Sequence, residues 1–208
     1  TADGASSSTE RLRINSVGDL LLNTDQATIG LNTADGSDNK SFSLCGGSDA
    51  SQNRGSLVGL FGNEHGSNPG VLALRAGNVS GGRVEFSAGG SEVARIDNSG
   101  RLLLGTTTEG QATADDLTIA GSGDVGMTIR SGTSNFGNIY FSDGTSGSDE
   151  FRGYVQYNHS NNSLALAANA TTALTLDSSQ NATFAGQVSV SGNFLAGDEI
   201  GLFNGSTN

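Results

Sequence analysis

Tryptophan is absent from this 208-residue chain, and proline, cysteine and methionine each occur once. With only 3 Tyr and 9 Phe beside them, bulky core formers are scarce. A large self-contained globular core is hard to build from such a set, whereas a thin body sharing its core between chains needs less apolar area. The scarcity of aromatic rings also argues against a polysaccharide-cleaving site with stacked sugar platforms. One cysteine excludes an intrachain disulfide, and the ordinary expectation for Cys45 is a buried free thiol. Basic residues number 10 against 21 acids, a formal charge of −11. They are scattered, so no groove can track a polyphosphate, and neither nucleic acid nor anionic lipid is an expected partner. No apolar run is long enough for a helical membrane span, and no secretory leader pattern is visible, so membrane insertion is not expected.

What the chain does have is glycine, 32 residues, about twice average usage, and a repeat. RLRINSVGDLLLNT begins at Arg11, VARIDNSGRLLLGT at Val93, and the weaker ALTLDSSQNATFAG at Ala173. Ile14 and Ile96 lie 82 residues apart, Ile96 and Leu176 lie 80 apart. The second offset continues upstream, placing Phe61 on Phe141, Asn78 on Asn158, Val84 on Leu164 and Phe86 on Leu166. Repeats of this length mark stacked modules. The first module is set at residues 11–97 and the second at 98–177. Residues 1–10 form a flexible lead-in, and 178–208 begin a further module. An insertion of about five residues separates the copies and falls at Gly47–Gly55, which should be a surface loop.

Apolar residues come in short alternating pulses, as at Arg11–Asn15, Ser41–Cys45, Arg83–Phe86, Asp116–Ala120, Met127–Arg130 and Ser163–Ala167. Period-two alternation over four to six residues is the mark of a half-buried strand. Between the pulses stand ADGSDN, AGGS, DNSG, GTSGSD and NHSNN, turn sequences rich in residues that tolerate positive φ. The chain therefore reads as all-β, with roughly fifteen short strands and negligible helix. Gly18 and Gly100 mark its repeated turns.

Candidate chemistry is thin. His65 and His159 are the two histidines, and neither role is repeated between modules. Neither belongs to a cluster of metal ligands at coordinating spacing. Glu64 beside His65 is a weak acid–imidazole pair. Asp35–Asp38 and Asp143–Glu150 carry the hard oxygens calcium favours, but neither fits a calcium-loop template, and solvent turns are the plainer reading. No nucleophile elbow, phosphate loop or dinucleotide fingerprint is present, and no cofactor is expected. Tyr140, Tyr154 and Tyr157 cluster in the second module. They are candidate glycan contacts, although packing is the commoner role for such rings, and Tyr140 with Phe141 is the pair closest in sequence.

RLRINSVGDLLLNT and VARIDNSGRLLLGTTT resemble a motif of bacteriophage tail fibres, of the form ERxRIDSSGxxLxGTT. Gly137–Leu166, GNIYFSDGTSGSDEFRGYVQYNHSNNSLAL, is similar to segments of fibre-like virion proteins of marine tailed phages. The similarity covers about residues 10–186. It implies an elongated homotrimeric β-fibre, of β-prism or intertwined, triple-β-helix-like form, that attaches a virion to its host. It implies other tail or baseplate proteins as partners, host surface glycan as a candidate receptor, and the virion tail as location. Many such fibres end in a self-cleaving chaperone domain, to which no segment here is similar.

The expected arrangement is thus a non-enzymatic structural or adhesive component. Its shared core would bring Ile14, Leu20, Leu22, Ile96, Leu102, Leu104 and Leu176 together between chains. A bacterial extracellular adhesin or filament subunit shares the composition, and a polysaccharide-degrading tail spike is the enzymatic alternative.

Overall fold

The computed structural model describes residues 12–22 and 28–192. Of the sequence expectations, the lead-in at 1–10 and the close of the third module lie outside the described residues. The chain is all-β: fourteen strands are described, with one short 3-10 turn at Gly147–Phe151. Backbone contacts divide it into two units, Thr1–Val125 and Gly126–Asn208.

In the first unit, β1 (Leu12–Ile14) and β2 (Leu20–Leu22) form a hairpin. β3 (Ser41–Cys45), β4 (Leu57–Phe61) and β5 (Leu72–Arg75) form a three-stranded antiparallel sheet. β6 (Val84–Ala88), β7 (Ser91–Ile96), β8 (Leu102–Leu104) and β9 (Leu117–Ile119) form a four-stranded sheet, antiparallel except for the parallel β8–β9 pair. In the second unit, β10 (Phe136–Phe141), β11 (Gly153–Asn158), β12 (Ser163–Ala168), β13 (Thr171–Leu176) and β14 (Ala182–Phe184) form one antiparallel meander.

The repeat read in sequence is a repeat of strands. At an offset of 80, β4 to β8 fall on β10 to β14 in order. Fine structure repeats too. A bulge lies between Phe86 and Ser87 in the β6–β7 pair, and between Leu166 and Ala167 in the β12–β13 pair. Each pair turns on two residues of positive φ, Gly89 (59°) and Gly90 (80°) in one, Asn169 (51°) and Ala170 (57°) in the other. Such two-residue turns match the natural twist of a hairpin.

Two expectations need correction. Met127–Arg130 alternates but is not a strand, and Met127 and Ile129 are exposed. Alternation supplies the side chains of a strand, but a strand also needs a neighbour to form a ladder. Cys45 is exposed, not buried. It ends β3, an edge strand whose partner among the described residues is β4.

The insertion at Gly47–Gly55 does fall in the connection between β3 and β4, and most of its residues are exposed. Among the described residues, the buried apolar side chains are Leu57 and Leu103. In the LLL run of β8 it is thus the middle leucine, on the face shared with Arg95 and Thr118, that one chain buries.

Candidate functional site

The most regular feature is a hairpin turn built three times. In the β1–β2 turn, Asn15 Oδ1 accepts the backbone N–H of Val17 (3.1 Å) and of Asp19 (2.8 Å). In the β7–β8 turn, Asp97 Oδ1 accepts the N–H of Ser99 (2.9 Å) and Arg101 (3.0 Å). In the β13–β14 turn, Asp177 Oδ1 accepts those of Ser179 and Asn181, both at 2.9 Å. Each loop closes through an N–H donated to the carbonyl of its first residue: Gly18 to Asn15, Gly100 to Asp97, Gln180 to Asp177. The donating residue has positive φ each time, 93°, 84° and 67°. This is a three-residue hairpin loop, a tight turn followed by one left-handed residue. Asn or Asp begins it because a short side-chain oxygen can reach the amides two and four residues on. Sequence reasoning picked out Gly18 and Gly100 but missed the Asn/Asp that anchors the loop, although its fixed place after the apolar pulse was the signal.

The hairpins fix the register of the strands, and register decides the faces. Across the five strands of the second unit, Ile139, Val155, Leu166, Leu174 and Phe184 stand in one cross-strand row. Tyr157, Leu164, Leu176 and Ala182 form the next row on that same face. The opposite face carries Asn138, Gln156, Ala165, Thr175 and Thr183. There Gln156 donates to Asn138 Oδ1 at 2.9 Å, and the Tyr154 and Thr172 hydroxyls lie 2.7 Å apart. One face is therefore apolar and the other polar.

The sheet β6–β9 repeats the pattern. Val84, Ile96, Leu102 and Leu117 form one row, and Phe86, Ala94, Leu104 and Ile119 the next. The described residues leave these apolar faces uncovered. Ile139, Leu166, Phe184, Phe86, Ile96, Leu102 and Leu117 are all exposed, Phe184 at 53%. Of the residues expected to form the shared core, Ile14 (71%), Leu20, Leu22, Ile96, Leu102 and Leu176 are exposed in the single chain, and Leu104 is half-buried. Exposed apolar rows this regular mark a surface for contact.

The tyrosines divide. Tyr140 and Tyr154 are cross-strand partners with ring centroids 6.1 Å apart, and Phe151 lies 6.2 Å from Tyr140. Tyr157 stands on the other, apolar face, edge-on to His159 at 4.8 Å. Phe141 also points away from Tyr140, because neighbours on a strand alternate in side. So Tyr140 and Tyr154 can share one contact, while Tyr157 and Phe141 cannot join it.

The acids behave mostly as turn and ion-pair groups. Arg152 reaches Asp149 at 2.5 Å and Asp143 at 3.4 Å, so two acids of the Asp143–Glu150 loop face a guanidinium. Asp35, Asp38 and Glu64 bring carboxylate oxygens within 4.8 Å of one another. Within that group the Asp38 N–H donates to Glu64 (2.9 Å) and the Thr33 hydroxyl donates to Asp38. His65 Nδ1 accepts the N–H of Asn68 at 3.1 Å, and its ring meets Phe61 edge-on.

Arg101 ties Asp97 (2.7 Å) to Asp115 (2.9 Å). Its side-chain hydrogen bond is the main reason the Asp97 carboxyl is held below the ordinary aspartate value of 3.8; the turn amides add to it. Asp177 is lowered chiefly by the Asn181 side-chain amide. Glu92 is lowered by its hydrogen bonds from Arg95.

No protein-family model matches the chain, and comparison with curated proteins gives no match.

Proposed function

We propose that this chain is a segment of a trimeric tailed-phage fibre, a structural and adhesive component of the virion tail that supports attachment to the host surface. The observation that carries the reading is the uncovered apolar face repeated on β6–β9 and β10–β14. Fully burying one Leu, Ile or Phe is worth about 1.5–3 kcal/mol, so rows of them left in water favour association strongly. Three copies turned about one axis bring three such faces together and let neighbouring strand edges meet. The resemblance of the hairpin motif to phage fibre sequences supports the same reading. In it, Ile14, Leu20, Leu22, Ile96, Leu102, Leu104 and Leu176 pack between chains, and the partners are two further copies and other tail proteins. Tyr140 and Tyr154, beside the Asp143–Glu150 loop, are the surface offered to a host glycan. Function is mechanical and adhesive, with no catalytic step.

Sedimentation equilibrium tests this. The expected mass is three times that of the 21.0 kDa chain, and Ile96→Asp should yield monomer. A stable, compact wild-type monomer overturns the assembly. Turnover of an envelope polysaccharide by the purified chain overturns the non-enzymatic part.

A further inference from the structure

The ladders of the two repeats differ in register and in continuity: β4–β5 pairs Leu57 with Arg75, two residues out of step with Gly137↔Tyr157 in β10–β11, and one whole ladder of the second repeat is missing from the first. In the second, β11 and β12 pair along their whole length, from Gly153↔Ala168 to Asn158↔Ser163. Their counterparts β5 and β6 do not pair: β5 ends one sheet and β6 begins the next. A cavity of about 410 Å3 lies there, lined among others by Leu74, Arg75, Ala76, Arg83, Val84 and Glu85. Two unpaired strand edges thus flank one gap, which an intact ladder fills in the sister repeat.

The residues at the gap explain the difference. In the closed repeat, Val155 stands opposite Leu166 and Tyr157 opposite Leu164, two apolar cross-strand pairs. At the matching places the open repeat has Arg75 opposite Phe86 and Gly77 opposite Val84. A cation and a glycine replace the two apolar groups, so the pair loses the side-chain contacts that stabilise a ladder. Arg75 is engaged elsewhere, its guanidinium 5.8 Å from the centre of the Phe61 ring. Asn78 is also drawn aside. Its N–H donates to the Gln52 carbonyl at 2.8 Å, and its Nδ2 donates to Asn53 Oδ1 at 3.2 Å. Gln52 and Asn53 belong to the inserted loop. In the other repeat Asn158 simply pairs with Ser163 and accepts the Ser160 N–H at 3.0 Å.

The geometry points to a closable seam: β5 and β6 are a latent antiparallel pair, in the register Arg75↔Phe86 and Gly77↔Val84, held apart by the clasp of Asn78 on the inserted loop. Closing it joins β3–β5 to β6–β9 in one continuous sheet and gives the first repeat the strand order of the second. The inserted loop is then a device that sets one repeat open while its sister stays shut. This goes beyond the fibre reading and does not depend on it.

Disulfide trapping tests the register in the full chain on a Cys45→Ser background. Ala76→Cys with Glu85→Cys occupies the places matching the observed Gln156↔Ala165 pair. Gln156→Cys with Ala165→Cys is the control and should cross-link fully. The seam pair should cross-link partly, and within one chain. Adding Arg75→Val with Gly77→Tyr should raise the cross-linked fraction about fivefold while closure is the minor state, equivalent to about 1 kcal/mol of cross-strand pairing. Asn78→Ala, which removes only the Nδ2 clasp, should raise it in the same direction. Absence of the bond in every seam variant while the control cross-links overturns the proposal. So does an equal yield with and without the added substitutions. A bond between chains, seen as a dimer on a non-reducing gel, also overturns it and shows that the edges recruit a second copy instead.

Discussion

Asp97 holds Arg101 twice: one carboxylate oxygen accepts the Arg101 backbone N–H at 3.0 Å, the other its guanidinium Nε–H at 2.8 Å. The first bond caps the β7–β8 turn from the side chain and the second fixes the residue that enters β8. Asn15 makes the backbone contacts of the same turn with an uncharged amide.

That difference gives a pH prediction. Asp97 and Asp177 have folded values below 3.8. Between the folded and unfolded values the unfolded chain binds more protons, so stability rises with pH there. The contribution is complete above the unfolded value and is lost as pH falls through the depressed one. Thermal unfolding from pH 7 down to pH 3 should show loss beginning near the ordinary aspartate value. Asp97→Asn should keep the turn, as Asn15 does, and flatten part of that pH dependence. Asp97→Ala should lower the melting temperature at pH 7 as well, because the Ser99 and Arg101 amides lose their acceptor.

The left-handed turn positions give a second prediction. Gln180 (67°) and Ala170 (57°) stand where the sister turns have Gly100 and Gly90. A non-glycine residue in this region costs roughly 1–2 kcal/mol, offset in part by its smaller unfolded-state entropy. Gln180→Gly and Ala170→Gly should therefore each stabilise by about 0.5–1 kcal/mol. Gly100→Ala should cost about 1 kcal/mol or more, from backbone alone, since no atom lies within 4 Å of an added Cβ. Denaturant titration reads all three.

Face-specific charge should separate assembly from folding. Leu166→Asp places a carboxylate in the middle of the apolar row, whereas Thr175→Asp places one on the polar face. Sedimentation velocity should show Leu166→Asp dissociated and Thr175→Asp assembled like wild type, with strand-type circular dichroism retained in the latter. Equal behaviour of the two would contradict the assignment of the faces.

Cys45 is the only thiol of the chain and is exposed. A thiol reagent should label the folded protein to one equivalent without denaturant. Protection of Cys45 under native conditions, released on unfolding, would contradict that placement.

Local sequence was sufficient for much of this. Alternating pulses, turn residues and the offset of 80 gave the strand class, the repeat and the position of the inserted loop, because a strand's side-chain period and a turn's φ requirements act over a few residues. The Ile96–Asp97–Gly100–Leu102 pattern specifies its hairpin almost unaided. What tertiary structure decided was everything that depends on pairing. Met127–Arg130 alternates yet forms no strand, since a ladder needs a neighbour. The tyrosine trio divides between two faces, because a side chain's face follows from cross-strand register. The Arg75–Phe86 gap opens where Val155–Leu166 closes, since a weakened side-chain pair competes with the hold of Gln52 and Asn53 on Asn78. These contacts join residues far apart in sequence, and their balance is set only when the strands meet.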